Sequence, residues 1–240
     1  ALKPDLLVGI EQVARLMRSK TTTTPIVLTQ SNDPVAAGLA KTLARPGSNV
    51  TGMAALTDAM AIKQVEMLKE LIPQLKSVAV FMDPNVPGSP DMERHVTQGA
   101  NALGVKTSLH KTGDRKGLAQ AFAELERNRP DGIVNPSGCG APFGERHFIA
   151  ENALRLRGPC AGLSAASAVA GYVMTYGASL QGMFRGAASH AARILKGASP
   201  ADLPIEQPTQ FELVVNLKTA TAIGIKVPQS MLVRANRVIE

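Results

Sequence analysis

The residues of this chain with chemistry to offer are small and polar, and they stand directly after short apolar runs. Ser31, Asn32 and Asp33 follow the run Ile26 to Thr29; Asp83, Asn85 and Ser89 follow Val78 to Met82; Asn135 ends the run Gly132 to Asn135 and Ser137 comes just after it. Hydroxyls and carboxamides donate and accept hydrogen bonds, so this set suits holding a polar molecule. Asp33, Asp83 and Glu145 would serve as an acid and base pair only if the fold brought them together. The patterns of covalent and phosphate chemistry are missing: the sequence contains neither GxxxxGK[ST] nor GxSxG. The stretch Pro136 to Gly144 spaces its glycines G-x-G-x-x-x-G and carries Pro142 in the middle, which does not match a dinucleotide loop.

Metal chemistry has no better footing. His95, His110, His147 and His190 are far apart, and Cys139 and Cys160 form no CxxC pair, so neither a metal cage nor any other cofactor is expected. Lys and Arg number 26 against 19 Asp and Glu, a net charge of +7. These cations are scattered, aromatics make up only 3% and tryptophan is absent, which argues against a nucleic-acid partner, since such surfaces combine clustered cations with stacking rings. The 240 residues, 45% hydrophobic, suffice to bury a sizeable core. No apolar run reaches the roughly 18 residues of a membrane span. The chain starts at Ala1 without initiator methionine or signal peptide and enters Leu6-Leu7-Val8 almost at once, so a preceding segment is expected to have been removed.

The elements that must position the polar residues alternate between strand-length apolar runs and segments of helical period, the mark of an α/β protein with parallel sheets. Strands are expected at Asp5 to Gly9, Ile26 to Thr29, Val78 to Met82, Val105 to His110, Gly132 to Asn135, Tyr172 to Tyr176 and Phe211 to Asn216. Helices are expected at Asp58 to Ile72, Pro90 to Leu103 with Gly104 as its cap, Arg115 to Asn128, and Leu180 to Leu195. Asp33 and Pro34 read as the start of another helix, whose free amides together with Ser31 would attract an anionic group. Ser89 reads as an N-cap. Arg45 to Asn49 and the proline-rich run from Gly197 to Pro208 read as joints.

Two stretches carry a family resemblance. Pro25-Ile26-Val27-Leu28 through Asp33-Pro34-Val35-Ala36-Ala37-Gly38-Leu39, with Arg45-Pro46-Gly47-Ser48-Asn49-Val50-Thr51-Gly52, resembles the ABC-transporter substrate-binding proteins of the tryptophan/tyrosine type. The tail resembles them further, in Ile194-Leu195-Lys196-Gly197, Phe211-Glu212-Leu213-Val214-Val215-Asn216 and Arg234-Ala235-Asn236-Arg237-Val238-Ile239. The resemblance implies a type I periplasmic-binding-protein fold: two Rossmann-like lobes with parallel sheets, joined by three crossovers and closing on a small ligand. Lobe one would comprise residues 1–53 with 178–206, and lobe two residues 54–177 with 207–240. Relatives carry a further βαβ segment before the position of Leu2, so the first lobe is expected to be truncated.

The resemblance further implies a non-enzymatic solute-binding component of an ABC importer, periplasmic or lipid-anchored, whose partners are a small-molecule ligand, an amino acid or related compound, and a membrane permease. The ligand-binding residues would be Glu11, Ser31, Asp33, Asn85, Ser89, Asn135, Ser137, Ser164 and Tyr176, with Tyr176 a surface at the hinge. Two departures stand out. Glu11 replaces the small residues relatives place there, which suits a ligand's ammonium. Gly162 stands where relatives often have an aromatic, which argues against an aromatic ligand. Two other readings share the fold: the effector-binding domain of a transcription regulator, and an enzyme acting between the lobes.

Overall fold

The computed structural model describes residues 3–55, 57–86, 89–137 and 140–240, and the side chains of all of these except Thr57, Asp58, Ser89, Pro90 and Gly140. In chain order the elements are β1 (Leu7–Ile10), α1 (Glu11–Arg18), β2 (Ile26–Gln30), β3 (Val50–Gly52), α2 (Thr57–Leu71), β4 (Ser77–Met82), α3 (Ser89–Ala102), β5 (Lys106–Lys111), α4 (Arg115–Arg127) and β6 (Gly132–Asn135). They continue with α5 (Gly140–Gly144), α6 (Arg146–Arg155), β7 (Cys160–Gly162), α7 (Ala165–Ala170), β8 (Met174–Ala178), α8 (Leu180–Leu195), β9 (Phe211–Asn216), α9 (Leu217–Ile223), α10 (Gln229–Arg234) and β10 (Arg237–Ile239). The chain divides into two compact units, one of residues 1–56 with 178–210, the other of residues 57–177 with 211–240.

Unit 1 is built on a parallel sheet ordered β1-β2-β3. The near-continuous apolar run of β2 follows from burial on both faces. Ile26 and Leu28 pack with Ala14 of α1 and Val50, while Val27 packs with Met183, Ala187 and Ile194 of α8. Gly52 ends β3 at φ 130°, where a Cβ would stand 2.3 Å from the Leu28 carbonyl oxygen, so only glycine lets the two strands approach this closely. The proline-rich segment after α8 runs back along the sheet: Thr51 Oγ1 donates to the Leu203 carbonyl at 2.8 Å, the Glu206 amide to Gly52 and the Ala54 amide to Glu206. Buried His190 of α8 holds the same segment, its Nε2 2.9 Å from the Pro204 carbonyl oxygen and its Nδ1 3.0 Å from that of Gly186.

Unit 2 carries a seven-stranded sheet ordered β10-β9-β8-β7-β6-β4-β5, parallel throughout the pairs β10 with β9, β7 with β8, β6 with β7, and β4 with both β5 and β6. Alternation along β4 explains its two-sided cover: Val78, Val80 and Met82 join Val65, Leu68 and Val96 of α2 and α3, whereas Ala79 and Phe81 join Leu118 and Phe122 of α4 and Ile149 of α6. Helix α3 ends as its sequence demands, with Gly104 at φ 69° and the Val105 amide on the Ala100 carbonyl. Among the described residues, no helix is long and apolar enough to cross a membrane.

Candidate functional site

In open parallel α/β sheets, ligands bind beyond the carboxyl ends of the strands, above all where the strand order reverses. In unit 1 those ends bring Glu11 and Ser31 together. β1 and β2 run side by side, so the first residue of α1 and the residue after β2 emerge at the same edge. The Ser31 hydroxyl donates to Glu11 Oε2 at 2.5 Å, and the amides of Asn32 and Asp33 donate to the same oxygen at 2.9 and 3.3 Å. Glu11 is only 1% exposed, and its other oxygen, Oε1, is buried without a donor; so is Oδ1 of Asn32.

This arrangement corrects the expectation of free amides at a helix start. Two of the amides that were to attract an anion are occupied by the chain's own carboxylate, and the helix itself does not form. Asp33 Oδ1 accepts the Val35 and Ala36 amides, both at 2.9 Å, but the turn stops because Gly38 takes a left-handed φ of 69°. Asp33 thus caps a single turn, and its side chain is spent on that turn.

In unit 2 the order reverses between β4 and β6: the chain leaves β4 for β5 on one side and returns to β6 on the other. The loops after these two strands hold the predicted residues. Exposed Asn85 turns back on Asp83, its backbone N and Nδ2 donating to Asp83 Oδ1 at 2.9 and 3.1 Å. Asn135 is 1% exposed and braces the β6 end: its Nδ2 donates to Tyr172 Oη at 2.8 Å and to the Pro142 carbonyl at 3.4 Å, and its Oδ1 accepts the half-buried Ser137 amide. Ser164 caps α7, accepting the Ala166 amide at 3.3 Å. Half-buried Tyr176 stacks on Phe211 with centroids 5.9 Å apart, and its carbonyl accepts from Gln64 Nε2. The structure therefore groups Asn85 and Ser137, on the loops after β4 and β6, with Asn135, the last residue of β6, at one reversal, while Ser164 is placed after β7 and Tyr176 within β8. The Ser89 side chain lies outside the described residues, as does Cys139.

Sequence reasoning noted Asn32 beside Ser31 and Asp33 without placing it in the binding set, and it missed Tyr172. Asn32, like Glu11, carries a buried oxygen without a donor, and nothing in its sequence setting distinguishes it from its neighbours. Fully buried Tyr172 lies over Gly162, where a Cβ would meet its ring at 2.7 Å; the space an aromatic at position 162 would occupy is filled from within the unit. Burial, with the neighbouring Cys160 thiol adding to it, pushes the Tyr172 phenol well up, and burial alone does the same to the Cys160 thiol, which is free. Glu145 is paired with Arg115 at 2.8 Å. Among the described residues, no group of three His, Cys, Asp or Glu side chains is arranged to hold a metal. None of the predicted residues lines the recess of about 250 Å³ that Met53, Ser179, Arg185, Glu206 and Gln210 help to form in unit 1.

Residues 1–239 match the family described as ABC transporter substrate binding protein. The chain belongs to that family. Among solved structures, that of an ABC domain from Streptococcus pneumoniae in complex with L-Trp is similar over 100% of this chain and 82% of its own, at 25% identity and a TM-score of 0.90. A conserved domain protein from Vibrio cholerae is similar over 98% of this chain and 79% of its own, at 26% identity and a TM-score of 0.88. A tyrosine-binding protein of Clostridioides difficile is 24% identical over 229 residues, covering 93% of this chain; the chain spans 64% of that protein's length. Fold and family agree: this is the α/β, parallel-sheet architecture of the type I periplasmic binding proteins, in a family of substrate-binding proteins rather than of enzymes.

Proposed function

We propose that this protein captures a small amine-bearing solute, an amino acid or a close relative, outside the cytoplasm and delivers it to the permease of an ABC importer. The observation that carries this reading is the likeness, along the whole chain, to an ABC domain in complex with L-Trp. Unit 1 would offer Glu11, Ser31 and the Asp33 turn, and unit 2 would offer Asn85, Ser89, Ser137, Ser164 and Tyr176, with Asn135 bracing them. A ligand held by both units stabilises a closed arrangement by its differential affinity, and a transporter recognises that arrangement. The protein then acts by binding alone, in the periplasm or held at the membrane by a lipid anchor. Helix caps and braces fix the loops before the ligand arrives, which limits the ordering cost of binding.

The test is a thermal-shift screen against the twenty L-amino acids, simple amines, dicarboxylates and sugars. A solute present at about 100 times its Kd stabilises the native state by roughly 2.7 kcal/mol. A selective shift with one amino acid or a small related group is the expected result. A shift with sugars alone would replace the substrate class while leaving the binding role.

A further inference from the structure

We propose that Glu11 and Asn32 form a seat for a primary ammonium group of the ligand, which makes the protein selective for solutes with a free amine; this rests on the solute-binding reading above. The argument starts from an imbalance. Glu11 Oε2 is saturated by three donors, the Ser31 hydroxyl and the Asn32 and Asp33 amides, whereas Oε1 has none, and among the described residues no cationic side chain pairs with it. Asn32, whose backbone amide serves the saturated oxygen, has its own Oδ1 buried without a donor.

Buried acceptors without donors are rare in folded proteins, and each calls for a missing partner. The partner here must supply at least two N–H groups, and it must compensate a carboxylate taken out of water. A primary ammonium meets both demands, with three donors and one positive charge. An anionic group does not: the amides of Asn32 and Asp33, which would otherwise receive it, are held by Glu11 itself. Glu11 opens α1, and the three hydrogen bonds to Oε2 fix its carboxylate in place, so the geometry of the seat is set before a cation arrives.

The experiment measures Kd by calorimetry for wild type and Glu11→Gln against every L-amino acid that shifts the wild-type melting temperature, each paired with its N-acetylated counterpart. The probes are thus defined compounds that differ in one cation. The seat predicts that N-acetylation abolishes binding and that Glu11→Gln weakens the free amino acid by about thirtyfold or more, the cost of unpairing a buried charge. It also predicts that Glu11→Gln raises the melting temperature of the ligand-free protein, because the carboxamide removes a buried charge that no cation compensates. N-acetylated counterparts binding as well as the free amino acids, or Glu11→Gln binding unchanged with a lowered melting temperature, would overturn the seat and leave solute binding standing. If no amino acid binds while another solute class does, the seat falls together with the amino-acid reading.

Discussion

Tyr172 and Cys160 share one apolar cluster of unit 2 with Phe81, Phe122 and Ile149, and loss of water there raises both ionisations. The linkage has a definite sign. Both groups keep their protons in the folded state to a higher pH than in the unfolded chain, so their contribution is complete below about pH 9 and is lost as the pH rises beyond the ordinary thiol and phenol values of 9.0 and 10.0. Each proton steepens the loss by about 1.4 kcal/mol per pH unit. Urea unfolding between pH 8 and 11 is expected to show this decline, flattened at its onset in Cys160→Ala; a flat profile in the wild type would refute the assignment. A further residue-level expectation concerns Asn135, whose shortest bond goes to the Tyr172 hydroxyl at 2.8 Å. Tyr172→Phe leaves that donor inadequately paired at a buried position and is expected to cost about 1–3 kcal/mol in denaturant unfolding, without loss of the fold.

At the scale of elements, what sequence reveals depends on whether a strand is long enough to carry a pattern. β4, β6 and β9 are apolar runs bounded by turns, and their positions follow from the residues alone. β3, β7 and β10 span three residues each, and Cys160-Ala161-Gly162 has no β-branched side chain to mark it; these strands exist because neighbouring strands pair with them. Likewise α1 spans only eight residues, half of them apolar, with Val13 and Leu16 exposed, too short a stretch to show a helical stripe over several turns. For the candidate site, the sequence showed the strand-end positions of Ser31, Asn85, Asn135 and Ser137, which the rule that ligands gather beyond strand ends singled out. It was not legible that Glu11, twenty positions before Ser31, closes on it, because that contact comes from strand adjacency. Gly52 offers the test of such adjacency. Gly52→Ala drives a Cβ into the Leu28 carbonyl and is expected to cost about 4 kcal/mol or more, seen as a large fall in melting temperature. His190→Ala, which frees the Pro204 carbonyl inside unit 1, is expected to cost about 1–3 kcal/mol.

On the scale of the whole molecule, the chain passes from one unit to the other three times, near residues 56, 177 and 210. Each unit is a parallel sheet with helical cover, and each presents polar side chains at its strand ends. Each unit thus carries its own hydrogen-bonding groups; Asp33 and Glu145 are engaged within the chain, whereas Glu11 keeps one buried oxygen without a donor. The most direct measurement is an isothermal titration of the protein with the amino acid that gives the largest thermal shift, followed by the same titration with its N-acetyl derivative. The account predicts one site per chain for the free amino acid, a saturable heat, and none for the derivative. Equal heats for both compounds, or no saturable heat with any amino acid on a folded sample, would contradict it.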